Sequence, residues 1–216
     1  MVVNHRLKFC FVENPKCAST YVAEALIKLD GSRCPSKKHL SAIEFLKRRS
    51  VENPDEYKVF TTVRNPLSLY PSLYSFAQRS PESHVKKFFP QTDFDSFLDA
   101  QLSLKAEVWK PGAFQRYFGQ PIEILDGLNY GWVTFSTIYW TSRGVPNFEK
   151  LDSVDKVTTF RVEDDFRSQI EQYLGLGIKW PEDKLNSTPR IAELSENQEN
   201  LIRLADSQVF NLFGYQ

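Results

Sequence analysis

The chain has 216 residues, of which 41% are hydrophobic and 14% aromatic, a composition typical of globular proteins that excludes extended disorder. Its 27 Lys and Arg residues balance its 27 Asp and Glu residues, so general attraction to nucleic acid is not predicted and any anion site must be local. We expect one domain over residues 1–216. Three scattered cysteines, Cys10, Cys17 and Cys34, predict neither a disulfide framework nor a metal site.

The first predicted strand begins at Leu7, which leaves little room ahead of it for a signal peptide or a membrane anchor. No apolar run in the sequence reaches the length that is needed to span a bilayer. We therefore expect a soluble, cytoplasmic protein that does not interact with a membrane.

A predicted strand at residues 7–12 leads through a polar loop into a predicted helix at residues 21–29. The first N–H groups of a helix have no partners within it, and the helix dipole favours an anion at this end. Lys16 would add a positive charge, and the hydroxyls of Ser19 and Thr20 could donate to phosphate or sulfate oxygens. The segment predicts an anion-binding loop, although an ordinary strand-to-helix turn with a surface lysine fits it equally well.

A second strand is predicted at residues 57–63, and Arg64 follows it directly. Asn65 suits the N-cap of the next helix, and Pro66 suits its first position. A guanidinium at the end of a strand can form paired hydrogen bonds with a phosphate. Ser72, two turns into the predicted helix, could offer a hydroxyl to the same group. Two such motifs in one chain favour anion binding over an ordinary turn.

Together the two motifs resemble those of sulfotransferases that use 3′-phosphoadenosine 5′-phosphosulfate (PAPS). The first loop is similar to their 5′-phosphosulfate loop and reads Pro15-Lys16-Cys17-Ala18-Ser19-Thr20. The second is similar to their 3′-phosphate motif and reads Val63-Arg64-Asn65-Pro66, with Ser72 eight residues after the arginine. The likeness is closest to the carbohydrate (glycan) branch of the family. Many members have glycine where Ala18 stands, so we expect the loop to avoid a positive φ at this position.

The resemblance implies an α/β fold, a single domain with a mostly parallel central sheet flanked by helices, related to the P-loop kinases. It implies transfer of a sulfonyl group from PAPS to a hydroxyl, with a glycan as the expected acceptor, 3′-phosphoadenosine 5′-phosphate (PAP) as product, and no metal. Lys16 would stabilise charge in the reaction. The residues that would bind the cofactor are Lys16, Cys17, Ala18, Ser19, Thr20, Arg64 and Ser72.

A sugar hydroxyl must lose a proton as it attacks sulfur, and a neutral histidine is suited to accept that proton near pH 7. His5 precedes the first strand and His84 lies in a polar connection, so we expect both at the surface. His39 lies between the two motifs, where some glycan sulfotransferases are similar in having a histidine base. We therefore predict His39 as the general base, with Glu13 and Glu24 as reserve candidates.

Two other functions are compatible with such a loop. A nucleotide or small-molecule kinase on the same fold would need a Gly-Lys-[Ser/Thr] loop and an acidic pair for magnesium, and the sequence contains neither in recognisable form. A non-catalytic binding module would keep the loop without the chemistry. Lys16 and His39 favour the enzyme over the module.

Further along the chain, a helix is predicted at residues 93–102 and a third strand at 154–162. We interpret Glu163, Asp164 and Asp165 as the favourable acidic start of a helix, not as catalytic groups. A capping box at Ser195 predicts a final helix to about Phe213, with Gly214 ending it. Its pattern also resembles the sulfotransferases, through Asp206, Phe210, Gly214 and Tyr215.

Overall fold

The computed structural model describes residues 1–34, 53, 56–102, 157–182 and 193–216. In these ranges five strands form one sheet, with the order β3-β1-β2-β4-β5. The strands are β1 (Val2–Asn4), β2 (Phe9–Val12), β3 (Ser32–Arg33), β4 (Lys58–Val63) and β5 (Thr158–Arg161). The predicted α/β class is therefore confirmed.

Seven helices accompany the sheet in the described ranges, and none of them is long and apolar enough to cross a membrane. They are α1 (Ser19–Leu26), α2 (Pro66–Arg79), α3 (His84–Phe88), α4 (Phe94–Leu102), α5 (Phe166–Leu174), α6 (Glu196–Ala205) and α7 (Ser207–Phe213). His84 thus begins a short helix, where the sequence predicted only a polar connection.

The centre of the sheet is parallel. β2 pairs with β4, and β4 pairs with β5, in registers that set Val12 opposite Thr61 and Val63 opposite Arg161. β1 and β3 add an antiparallel edge that the sequence did not predict. Because parallel strands end at the same edge of a sheet, the loop after β2 and the segments after β4 and β5 emerge side by side, where ligands bind in open α/β sheets.

The core of the sheet is aromatic. Phe11 and Phe60 lie on the neighbouring strands β2 and β4, with ring centroids 5.3 Å apart, and neither has any exposed surface. α1 packs Val22 and Leu26 into the same cluster. Burying side chains of this size stabilises a fold by about 1.5–3 kcal/mol each. The packing holds β2 and α1, and so fixes both ends of the loop that joins them.

The chain divides into two compact units, Met1–Arg64 with Thr137–Ser187 and Asn65–Ser136 with Thr188–Gln216. The five described strands belong to the first unit, together with α1 and α5. The second unit holds α2, α3, α4, α6 and α7. The expectation of one domain over residues 1–216 stays a prediction.

Local signals correctly predict the beginning of α2. The Asn65 Oδ1 atom accepts a hydrogen bond from the Leu67 N–H at 2.9 Å, and Pro66 occupies the first turn. This arrangement satisfies one of the N–H groups that have no partner within the helix. α2 extends to Arg79 and carries Ser72, which is half-buried in the second unit.

The predicted final helix is two helices, because the chain turns at Asp206. This residue has no exposed surface, and its Oδ2 atom accepts a hydrogen bond from the Tyr70 hydroxyl at 2.5 Å. The capping box at Ser195 is confirmed, and Gly214 ends α7 with a left-handed φ of 63°, as predicted. At the break, Asp206 is therefore bonded to Tyr70, a residue that lies far away in sequence.

Candidate functional site

The loop between β2 and α1 is attached to the end of β4 by buried hydrogen bonds. The Asn14 side chain donates to the Thr62 carbonyl at 3.0 Å, and the Thr62 hydroxyl donates to the Cys17 carbonyl. Thr61 adds a bond from its hydroxyl to the Val12 carbonyl at 2.7 Å. Sequence reasoning missed these roles, because threonines in a predicted strand look like ordinary β-forming residues. The loop is therefore held in place by the strand that leads to Arg64.

Two residues of the loop have left-handed backbone conformations, Lys16 with a φ of 63° and Ala18 with a φ of 57°. The expectation that Ala18 avoids a positive φ is wrong. This conformation costs a residue with a Cβ atom about 1–2 kcal/mol, and the hydrogen bonds that join Asn14 and Cys17 of the loop to Thr62 hold the loop in it. Left-handed residues alternating with an ordinary residue are typical of backbone concavities, called nests, that bind anions.

The N-terminus of α1 carries no side-chain cap. Ala18 is the N-cap residue and forms no side-chain hydrogen bond there, and the first turn contains no acidic residue. The helix begins at Ser19, two residues earlier than predicted, so Ser19 and Thr20 form its first turn. The positive end of the helix dipole is therefore not offset by a carboxylate of its own first turn, a situation that favours an external anion.

Arg64 and the loop are directly bonded. The Arg64 Nη1 atom donates to the Lys16 carbonyl at 3.2 Å, and the side chain is half-buried. The structure thus brings together the loop and the arginine that the sequence predicted as two separate motifs. Ser72 lies in the second unit, and its predicted contact with the same ligand stays a prediction.

The charges of three side chains act on the buried Cys17 thiol. Complete burial raises the pKa of Cys17 to about 12, while the nearby positive charges of Arg64 and Lys16 lower it and the negative charge of Glu163 raises it further. The thiol therefore stays protonated at neutral pH, and the loop contributes its backbone rather than this side chain. Lys16 and Arg64 contribute positive charge at the loop, and Glu163 contributes negative charge.

The acidic segment after β5 differs from its interpretation in the sequence. Asp165 is the N-cap of α5, which begins at Phe166, so the helix-start role is correct for this residue. Asp164 instead forms an ion pair with Arg161, with 2.8 Å between Asp164 Oδ2 and Arg161 Nε. Glu163 is exposed and precedes the helix altogether, so its assignment to the helix terminus is wrong.

One of the three candidates for the general base lies outside the described residues, and the other two lie within them. His39 lies outside the described residues, so its role stays a prediction. Glu13 is only 2% exposed and accepts a hydrogen bond from the Met1 amino group, which leaves its carboxylate inaccessible to an acceptor hydroxyl. Glu24 is half-buried on α1, and His5 is exposed as expected.

Ala18→Gly is expected to raise the free energy of unfolding by about 0.5–1 kcal/mol. Relief of about 1–2 kcal/mol of left-handed strain exceeds the entropy cost of a new glycine in the unfolded chain. Ala23, in an ordinary helical position of α1, provides the control, since Ala23→Gly should lower stability by about 1 kcal/mol. Urea denaturation measures both variants. A stability loss for Ala18→Gly similar to that of the control would contradict the strained conformation.

Alkylation should distinguish the cysteines. Cys34 is exposed, whereas Cys10 and Cys17 are buried. Only a thiolate attacks an alkylating reagent, and the raised pKa of Cys17 adds to its inaccessibility. We expect iodoacetamide at pH 8 to modify Cys34 alone in the folded protein and all three cysteines after denaturation, as measured by peptide mass spectrometry. Modification of Cys17 at the rate of Cys34 would show that the loop opens.

The site therefore consists of the nest-like loop, the uncapped start of α1 and Arg64, with Glu163 nearby. Among the described residues, no group of three or more His, Cys, Asp or Glu side chains is arranged to hold a metal ion. No family model, curated protein or solved structure matches this chain.

Proposed function

We propose that this chain is a PAPS-dependent sulfotransferase that transfers a sulfonyl group to a hydroxyl of a carbohydrate, on a fold related to the P-loop kinases. The observation that carries the proposal is the 3.2 Å hydrogen bond from Arg64 Nη1 to the Lys16 carbonyl. It joins a loop suited to one anionic group with an arginine suited to another. A nucleotide that is phosphorylated at both its 3′ and 5′ positions has this pair of groups.

The residues present fit such a donor. The loop offers the start of α1, with no acidic residue in its first turn, and two left-handed residues, a pattern that suits the oxygens of a 5′-phosphosulfate. Residues 16–20 would hold that group, and Arg64 with Ser72 would hold the 3′-phosphate. When bound, PAPS supplies the sulfonyl group, and PAP remains as the product.

Lys16 and His39 have different tasks in this proposal. Lys16 places a positive charge at the loop and stabilises the negative charge that grows on the departing phosphate, so it binds the transition state more strongly than the ground state. His39 accepts the proton of the acceptor hydroxyl. The burial of Glu13 supports leaving this task to His39, because a base must reach the proton that it removes.

Titration calorimetry without magnesium tests the proposal first. We expect PAP to bind and ATP to bind much more weakly, because ATP has no 3′-phosphate for Arg64. Incubation with PAPS and a panel of glycans should then yield a sulfated product. A preference for ATP with magnesium would favour a kinase. PAP binding without transfer to any acceptor in the panel would favour a binding module.

His39→Ala is expected to remove most of the turnover while PAP binds normally. In the wild type, turnover should rise with pH through one ionisation between about 6 and 7.5, because only the neutral imidazole accepts a proton. The variant should lose this rise. Exposed His5 provides the control, since His5→Ala should keep both the rate and the pH profile. Near-normal turnover in His39→Ala would place the base elsewhere.

A further inference from the structure

Glu163 follows the strand that ends beside Arg64. Val63 lies opposite Arg161 in the parallel register of β4 and β5, and the Val162 N–H continues the pairing with a 2.9 Å bond to the Val63 carbonyl. Arg64 is the next residue on one strand, and Glu163 is the first residue beyond this bond on the other. The register therefore places Val162 opposite Arg64, and Glu163 is the next residue of the chain after Val162.

The two acidic residues that follow Glu163 form contacts of their own. Both Asp164 oxygens accept hydrogen bonds from the Arg161 guanidinium, at 2.8 and 3.0 Å, and Asp165 caps α5. Glu163 is exposed, and its charge acts on the buried thiol of Cys17 inside the loop. Of these three acidic residues, Glu163 is the one whose charge acts on Cys17.

We propose that Glu163 is a built-in counter-anion of the loop, which weakens the binding of phosphate-bearing ligands and speeds their release. Its negative charge offsets part of the positive charge of Lys16 and Arg64, so a bound anion gains less from these two cations. The consequence for catalysis rests on the proposed function, since PAP keeps its phosphates after transfer and must leave before another turnover. A loop without this carboxylate would retain its product longer.

The test compares two variants, each of which loses one negative charge, at positions two residues apart. Glu163→Gln removes the carboxylate beside the loop, and Asp165→Asn removes one from the cap of α5, where asparagine is equally suitable. Calorimetry with PAP and with inorganic pyrophosphate measures affinity at about 0.1 M and about 1 M salt, where the screening length falls from about 10 to about 3 Å. Glu163→Asp keeps the charge and serves as the rescue variant.

We expect Glu163→Gln to bind both probes about three- to tenfold more tightly at low salt, the size of one charge interaction near a surface. The gain should shrink at high salt, and Asp165→Asn and Glu163→Asp should stay within about twofold of the wild type. Stopped-flow displacement should show slower PAP release from Glu163→Gln. Thermal melting checks that each variant is folded, and a substitution that merely damaged the loop would weaken binding instead.

Two results would overturn the inference: unchanged or weaker binding by Glu163→Gln, or an equal gain by Asp165→Asn. A wild type that binds neither probe would overturn it together with the proposed function. If Glu163→Gln binds pyrophosphate more tightly as expected, but the protein binds PAP no more tightly than ATP, the proposed function fails and the counter-anion inference stands. If PAP binds selectively and Glu163→Gln changes no affinity, the counter-anion inference fails and the proposed function stands.

Discussion

Lys16→Ala is expected to lower turnover by about 10²–10³, similar to the loss of one donor that stabilises a growing negative charge. The affinity for PAP should fall only modestly. Lys16 lies in the loop with a left-handed backbone, and its charge acts on the adjacent buried Cys17. Its proposed task is to stabilise charge that appears only in the transition state, so the loss should appear in the rate rather than in ground-state binding.

Lys28→Ala is the matched control for this variant. Lys28 is exposed just after α1, in the same unit as the loop, so its removal changes the net charge equally and should leave turnover near that of the wild type. Single-turnover measurement with PAPS and the best acceptor gives the rate, and calorimetry with PAP gives the affinity. Normal turnover combined with weak affinity for Lys16→Ala would reduce Lys16 to a binding residue.

Arg64→Ala is expected to weaken PAP binding by about 2–3 kcal/mol, the cost of losing a charge-assisted contact. The binding of adenosine 5′-phosphosulfate, which lacks the 3′-phosphate, should weaken much less. Comparing the two ligands separates recognition of the 3′-phosphate from support of the loop, because Arg64 also donates to the Lys16 carbonyl. Calorimetry of both ligands with the wild type and with Arg64→Ala gives the four affinities that this comparison needs.

Two further variants accompany this measurement. Ser72→Ala should follow the pattern of Arg64→Ala with a smaller loss, as expected for a neutral hydroxyl. Arg6→Ala removes an exposed arginine that precedes β2, and it should leave both affinities unchanged. Equal losses for the two ligands in Arg64→Ala would remove this residue from the 3′-phosphate site and leave it a structural role in the loop.

Elements that depend on neighbouring residues were predictable from the sequence. The second strand was predicted at residues 57–63 and is found at Lys58–Val63. A continuous run of apolar and β-branched residues is typical of a buried strand. The Asn65 cap and the Ser195 capping box need only a few adjacent residues. The sequence predicted that the loop and Arg64 each follow a strand, the family resemblance implied a parallel sheet, and the structure shows that the two strands are neighbours.

Features that depend on distant partners were not predictable in this way. The positive φ of Ala18 occurs in a loop held by bonds to Thr62, and the break at Asp206 accompanies a bond from Tyr70. The sequence predicts Glu163 as part of a helix start, because the charge pattern does not reveal which of three acidic residues caps the helix. Its position one residue beyond Val162, the residue opposite Arg64, becomes visible only through the register of β4 with β5.

The bond between Arg64 and the Lys16 carbonyl makes the two halves of the proposed ligand site cooperative. One guanidinium supports the loop and is also proposed to recognise the 3′-phosphate, so a ligand that engages this group also orders the segment that receives its other end. The two contributions should therefore not add. Arg64→Ala removes the donor of this bond, whereas Lys16→Ala keeps the accepting carbonyl, so the small loss of adenosine 5′-phosphosulfate affinity that Arg64→Ala causes should measure how strongly the two ends are coupled.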